Sequence, residues 1–449
     1  MLQTAKMIAT KSQEHDWQVF AVGGFVRDMV VSKKSKDLDL EVFGPNSVEE
    51  LIDFLSEFGE VNAVGKSFGV LKLKVNGVDL DVSLPRTESK EGQGHKGFVA
   101  KSDGALTPKQ ASLRRDFTFN ALMLALPDCE IVDFHNGQFD LLNKRLHHTS
   151  PQFADDPLRV LRGMQFCGRF DLIAEKDTCE LSRSLLPEFE TLAKERLWIE
   201  FEKWAAKSVK PSRGLVFLLR SGWIKKFPEI ANLIGIPQSP KHHAEGSVWQ
   251  HTKMVCDKAA KISDRENLSR EDRVVLLLSA LCHDFGKVVC TFTKADGDIT
   301  SVGHDIEGKR FVESFLDSID TPTDIKKKVV SLCVNHMSKP KMQSGVRRLA
   351  NRLEVSIKLL TLLMEADSLG RISKSGKTLD DIFALRELAQ QVRLIDSKPQ
   401  PILMGRHLIE LGMKPGKQFG NILRSAFEAQ LDGEFEDLEG ALEWLQNNI

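Results

Sequence analysis

In Asp37-Leu38-Asp39-Leu40-Glu41-Val42 acids alternate with apolar residues, so an extended chain puts Asp37, Asp39 and Glu41 on one face and the aliphatic side chains on the other. Like charges on one face repel unless a cation holds them. Mg²⁺ suits such oxygen-rich sets, taking one or two carboxylates plus substrate phosphates. Asp79 and Asp81 repeat the device after Asn76-Gly77. Upstream, Gly23-Gly24 stands between an apolar run and a helical one, where bare backbone N–H groups can approach a phosphate, and Arg27 follows one turn in. A tight turn with a surface arginine is the plainer alternative for the glycines, and a solvated acidic face for either acid pair alone.

Two further sets of residues carry chemistry. Asp155-Asp156-Pro157-Leu158-Arg159-Val160-Leu161-Arg162 reads as a helix start, with acids and proline where the dipole and the first turn favour them. A carboxylate accepts from the exocyclic amino group of cytosine or adenine and a guanidinium donates to the adjacent ring acceptor. Asp156 and Arg159 are thus candidates to pass C and A while rejecting U and G. Ordinary surface ion pairs share this spacing. Farther on, His251, His283-Asp284 and Asp367 offer imidazoles and carboxylates that suit a divalent transition metal or Mg²⁺, able to activate water against a phosphate ester. Lys287 lies one turn beyond Asp284, and His304 and His336 are candidates for second ligands or substrate contacts.

The elements that must position these groups are of two kinds. Residues 1–150 mix strands (Val19–Val22, Leu38–Val42), a helix over Val48–Phe58 and a hairpin whose strands Val70–Val75 and Val78–Leu84 flank Asn76-Gly77, a pair that tolerates positive φ. Pro85–Gln110 is polar, glycine-bearing and unpatterned, as a mobile loop would be. From Asp156 onward helical spacing dominates, over Leu158–Phe166, Thr191–Ala206 and Val274–Cys282. Clusters at Gly235–Pro240 and Lys398–Pro401 read as linkers. The fold class is α+β: a mixed head followed by an all-helical body.

Composition sets the bounds. The chain has 449 residues, with 62 Lys+Arg against 63 Asp+Glu, which excludes a uniformly basic nucleic-acid coat but leaves room for a local basic face. A hydrophobic share of 41% with 28% charged residues is that of a globular protein, neither disordered nor membrane-embedded. No apolar run approaches the roughly 18 residues that span a bilayer, and Met1–Asp16 lacks a signal-peptide core, so a cytoplasmic location without membrane partners is expected. Seven scattered cysteines, never spaced CxxC, argue against a disulfide framework or a zinc knuckle. Tyr is absent while Phe reaches 26.

GGFVRD followed by DLD, together with Arg114-Arg115-Asp116-Phe117-Thr118-Phe119-Asn120-Ala121-Leu122, resembles the class II tRNA nucleotidyltransferases, the CCA-adding enzymes. The resemblance implies a nucleotidyltransferase head (1–150) and a helical neck (151–235). Gly24, Arg27, Arg114, Arg115 and Asp116 would contact nucleotide, and Asp37 and Asp39 would hold catalytic Mg²⁺ with Asp81 as third carboxylate. Asp156, Arg159 and Arg162 match the family's EDxxR motif, with Asp155 where Glu is usual. The implied reaction is attack of an RNA 3′ hydroxyl on the α-phosphate of CTP or ATP, with tRNA as partner. WQHT, CHDFGK, SVGHD and EADSLG resemble the HD phosphohydrolases. They imply an HD domain (236–397) in which His251, His283, Asp284 and Asp367 hold Ni²⁺, Mn²⁺ or Mg²⁺ for 2′,3′-cyclic phosphodiesterase or phosphatase activity. The tail (398–449) carries a GxxPGxxxG element at Gly412–Gly420, read as an RNA-phosphate contact or a helix packing corner. Enzymes adding only CC or only A, and bacterial poly(A) polymerases, share the head chemistry. An alarmone synthetase–hydrolase would place the HD site first, opposite to this order.

Overall fold

The computed structural model describes residues 1–35, 37–65, 70–90, 98–372 and 379–448. Contacts divide the chain into two units, Met1–Lys226 and Phe227–Ile449.

The first unit is organised by a seven-stranded sheet. In chain order its longer described strands are β1 (Gln18–Val22), β2 (Asp39–Phe43), β3 (Glu60–Gly65), β4 (Val70–Val75), β5 (Val78–Ser83), β6 (Arg86–Lys90), β7 (Phe98–Ser102), β8 (Met123–Leu126) and β9 (Glu130–Val132), and a separate two-residue parallel pair joins Arg145–Leu146 to Ile173–Ala174. The sheet runs β3-β4-β5-β2-β1-β8-β9, and within it β2 and β5 pair in parallel. The β4–β5 hairpin forms as expected, with Asn76 and Gly77 at φ 49° and 77°. Period-2 alternation sends Leu38, Leu40, Val42, Leu80 and Val82 into a core with helices Leu2–Ser12 and Val48–Ser56. Asp39 and Asp81 are left on the other face.

The mobile loop expected over Pro85–Gln110 is corrected in part. β6 and β7 form an antiparallel ladder from Arg86↔Ser102 to Lys90↔Phe98, and a helix over Pro108–Ser112 starts at the reciprocal Thr107/Gln110 cap. Its glycine-rich middle, 91–97, lies outside the described residues. Ladder pairing joins residues 16 apart at its outer end, a nonlocal match that polar composition hides.

Helices Leu158–Phe170, Lys194–Lys207 and Pro211–Ser221 complete this unit. A Cβ at Gly163 would stand 2.8 Å from Phe217 and 3.2 Å from Phe117, so this glycine lets the neck helix close on the segment after Asp116. Phe117, Phe119, Phe153, Phe166 and Phe170 interlock there, mostly edge to face. Phenyl rings leave no hydroxyl to satisfy in such a core.

Among the described residues the regular structure of the second unit is helical except for a two-residue ladder, Phe292–Thr293 with Ile299–Thr300, and a single bridge between Pro237 and Ser247, which depart from the all-helical expectation. Helix Arg270–Cys282 is buried from Val274 to Cys282, and helix Ile357–Gly370 over most of its length. Both are therefore core rods, and Ser247, Ser269 and Ser356 cap the helices that carry or precede the metal-seeking residues. The GxxPGxxxG element forms the corner between helices Gly405–Glu410 and Lys417–Asp432, over a small core around Leu408 and Ala426. Among the described residues no helix is long and apolar enough to cross a membrane.

Candidate active site and metal centre

Strand register brings the head carboxylates together: Asp39 stands beside Asp81 on the parallel β2–β5 pair, and Asp37 lies two residues before β2. Burial and the neighbouring charges of Asp81 and Asp37 push the Asp39 carboxyl above its ordinary range, against the pull of Arg115. Mutually repelling carboxylates of this kind fit a divalent cation. Gly23, at φ 71° and ψ −129°, adopts a backbone that side-chain-bearing residues avoid, and it caps helix Gly24–Val30. A Cβ there would lie 3.7 Å from Arg115 and 3.9 Å from Asp39 Oδ2, so the glycine turn faces the carboxylates. Asp79, expected to act with Asp81, is exposed and pairs across the hairpin with Lys74.

The carboxylates open onto a cavity of about 780 Å³. Gly24, Arg27, Asp37, Asp39, Arg114, Arg115, Asp116, Asp156, Arg159 and Arg162 all line it; Asp81 adjoins it through Asp39. Nine cationic side chains line it against four carboxylates, an excess that matches a polyphosphate.

Many of these groups are braced. Arg27 is buried, donates to Asp28 and to Asn120 (both 2.8 Å) and lies over Phe166 and Phe170. Arg114 pairs at 2.5 Å with Glu41, which is fully buried rather than presented with Asp39 to a cation. Burial would raise the Asp116 carboxyl, but Arg162 at 2.6 Å, Asn120 and Arg159 outweigh it and hold it below the ordinary value. Arg159 donates to the Gln152 and Arg114 carbonyls, each at 2.7 Å, tying neck to head. Asp156 does not sit inside the helix: it is extended and accepts from the Leu158 N–H (3.0 Å) as its cap, with Arg196 at 3.5 Å from its other oxygen.

Sequence reasoning missed Asn120, Gln165, Arg169, Arg196, Lys203 and Lys207, which line the same cavity. The last three had a signal. Spacings of seven and four put them on one face of helix Lys194–Lys207.

In the second unit His251, His283, Asp284 and Asp367 converge in the core. His251 Nε2 is 3.0 Å from Asp367 and 3.7 Å from Asp284, and His283 Nε2 is 3.3 Å from Asp284. His283, His304 and His336 each turn Nδ1 to a main-chain carbonyl, of Ala280 (3.0 Å), Ser301 (2.7 Å) and Cys333 (2.6 Å). That leaves Nε2 facing inward, the tautomer a metal uses. The buried His283 Nε2 has no well-directed hydrogen bond, as suits a nitrogen that would ligate a metal.

Burial opposes ionisation of Asp284, yet His283 and Lys287 hold its carboxyl well below the ordinary range; Arg371 and His251 do the same for Asp367. Burial, reinforced by His283, pushes the His336 imidazole down to about 4, so it stays neutral. Sequence reasoning also missed Glu245, whose carboxylate lies 3.1 Å from His251 Nδ1 and accepts from the Ile372 N–H. Lys287 lies 2.8 Å from Asp284 and 2.8 Å from Gln238.

Carboxylates paired on adjoining strands beside a glycine turn and a cation-lined cavity are the equipment of a nucleotidyltransferase. Residues 19–147 match the Poly A polymerase head domain family and residues 248–372 the HD domain family. A multifunctional CCA protein of Dechloromonas aromatica is 32% identical over 367 residues, covering 81% of this chain and 82% of its own. Another, of Xanthomonas euvesicatoria pv. vesicatoria, is 29% identical over 426 residues, covering 91% and 97%. The Bacillus stearothermophilus CCA-adding enzyme in complex with CTP shares the fold with a TM-score of 0.64 at 18% identity, covering 99% of this chain and 97% of that one. This chain belongs to the multifunctional CCA protein family.

Proposed function

We propose that the head and neck add C, C and A to the 3′ end of tRNA from CTP and ATP, with Asp37, Asp39 and Asp81 as the metal-holding carboxylates. The observation that carries this reading is the Asp39–Asp81 pair on β2 and β5, aligned by register at the edge of a cavity whose cations outnumber its acids. A bound divalent ion, Mg²⁺ by the hardness of these ligands, supplies charge to the α-phosphate and acidifies the attacking 3′ hydroxyl. The Gly23-Gly24 turn gives backbone room beside the triphosphate, and Arg115, Arg196 and Lys203 neutralise its oxygens. Asp116 fixes Arg162. Asp156 offers a carboxylate to the exocyclic amino group shared by C and A, and Arg159 holds the head and neck segments that flank the base.

The same reading assigns the HD pocket to hydrolysis of phosphate esters, 2′,3′-cyclic or terminal, with a divalent transition metal held by His251, His283, Asp284 and Asp367. The two imidazoles favour Ni²⁺ over Mg²⁺ there, and the two carboxylates accommodate Mn²⁺ as well. Lys287 and Arg371 offer cations to the phosphate at the pocket wall.

The deciding experiment supplies three tRNAs, ending before CCA, after C and after CC, with each labelled nucleotide in turn. Addition of C, C and then A, followed by arrest, is the expected outcome. Incorporation of U or G, or unlimited A, overturns the head reading; arrest after CC, or addition of A alone, reduces it to a partial enzyme.

A further inference from the structure

Away from both sites described above, the junction of head and neck gathers another set of metal-competent side chains. His147 and His148 follow the short strand Arg145–Leu146, and Asp177 stands in the first turn of helix Lys176–Ser184, just past the strand Ile173–Ala174. Parallel pairing of those two strands joins side chains 30 residues apart: His147 Nε2 is 3.0 Å from Asp177 Oδ2. The two imidazole rings lie 5.3 Å apart, nearly perpendicular. One ligand atom from each of the three residues lies within 4.8 Å of the other two. None of them lines the nucleotide cavity.

The groups behind the histidines resemble those that stand behind metal-bound imidazoles. Asp140, which is buried, holds one oxygen 3.5 Å from His147 Nδ1, so this ring lies between an interior carboxylate and the exposed one of Asp177. That oxygen of Asp140 also accepts from Thr118 Oγ1 (2.8 Å), which fixes it in place. Arg145 lies 3.8 Å from the other oxygen, with its charge met by Glu175 at 2.7 Å. A carboxylate on Nδ1 selects the tautomer that leaves Nε2 as the ligand atom. Thr178 Oγ1 stands 2.9 Å from His148 Nδ1 and accepts from the His148 N–H, which orients the second ring. Asp177 accepts from the Thr178 N–H through Oδ1 (2.7 Å), so Oδ2 is the oxygen turned to His147. Both rings are half-buried and Asp177 is exposed, which leaves the cluster open to an ion from solvent.

We infer that His147, His148 and Asp177 form a further metal site, suited to Zn²⁺ with water in the fourth position. Two imidazoles and one carboxylate, at about 2.0–2.2 Å, are a donor set that Zn²⁺ takes with one place left open. Tetrahedral ligands at that length stand about 3.4 Å apart, so His147 Nε2 and Asp177 Oδ2 have only a few tenths of an ångström to move. The ion clamps the histidine segment to helix Lys176–Ser184. That segment in turn backs the stretch after Asp116, since the Thr118 N–H donates to the His147 carbonyl (3.1 Å) and Phe117 bridges to His148. Its role is to hold the junction, apart from any residue assigned to nucleotide or phosphate chemistry.

The test dialyses chelator-stripped full-length protein against Zn²⁺ and counts ions per chain by elemental analysis, in the parent and in His147→Gln, Asp177→Asn and Asp140→Asn. Ions held elsewhere are common to all four proteins and cancel in the comparison. His147→Gln and Asp177→Asn should each hold one ion fewer than the parent, and Asp140→Asn should keep the count but bind that ion about 10–100-fold more weakly. In the parent itself, Zn²⁺ should slow carbethoxylation of His147 and His148 by diethyl pyrocarbonate, read by peptide mass spectrometry. An equal ion count in the parent and His147→Gln overturns the inference. So does labelling of the two histidines at the same rate with and without Zn²⁺, a result that does not depend on whether the variants fold.

Discussion

The two candidate sites address the same problem, a phosphate that must be held and activated, with opposite materials. The head uses carboxylates on adjoining strands, open to a large cavity rich in arginine and lysine. The HD pocket uses buried imidazoles at helix ends, with carboxylates already neutralised by Lys287 and Arg371. An open oxygen site suits a hard ion that arrives with its triphosphate; a buried nitrogen-rich site suits an ion that stays. Strands deliver alternate side chains to one surface, while a core helix delivers its last residues to one point.

The contrast is broken most severely by Asp39→Asn. Nucleotide incorporation should fall by roughly 10³-fold, about 4 kcal/mol of lost transition-state stabilisation, with phosphoesterase activity unchanged. Labelled CTP incorporation measured beside hydrolysis of a 2′,3′-cyclic nucleotide checks it; equal loss of both would show that the sites are not independent.

Asp116→Ala tests whether the head is a braced scaffold as well as an open surface. Removing the buried partner of Arg162 should cost about 3 kcal/mol in denaturant unfolding of the first unit. The pH dependence has a definite sign. The folded-state pKa of Asp116 lies below its ordinary value, so its contribution is present above the unfolded pKa and lost as pH falls through the folded one. Asp116→Asn should flatten the acid limb of the stability curve.

Glu245→Gln sharpens the other half. Weakening the carboxylate behind His251 should reduce metal affinity of the HD pocket by about 10–100-fold, read by competition with a chromogenic chelator, and leave tRNA extension intact. The smallest effect belongs to Lys203→Ala on the open face. Nucleotide binding should weaken roughly two- to fivefold at low ionic strength and converge with the parent at high salt, because a half-buried ammonium at a water-filled cavity wall is still screened there. A salt-independent loss would mean that Lys203 is structural, through its 2.8 Å contact with Glu200.

Much of this was legible along the chain. The Gly23-Gly24 turn, the alternating residues of β2 and the Asn76-Gly77 hairpin are local patterns, and each forms the element that its spacing suggests. Glu41 shows where pattern reading stops. Its alternation with Asp39 promised a metal-facing acid, yet Arg114 and Arg115, more than 70 residues away, draw it into the interior. The β6–β7 ladder and Glu245 were hidden for a related reason: the first depends on pairing between separated segments, the second on a carboxylate with no periodic context.

Residue chemistry, periodicity and helix or turn punctuation are properties of short stretches, so the order of residues alone settled which groups were available and on what kind of element each would stand. Which oxygens became neighbours was decided only by folding. Asp39 meets Asp81 because a parallel register is imposed by the aliphatic core beneath it, and Asp284 meets His304 because Gly286 lets two backbones touch. Both outcomes depend on contacts between segments distant in the chain, whose energies are summed over the whole core.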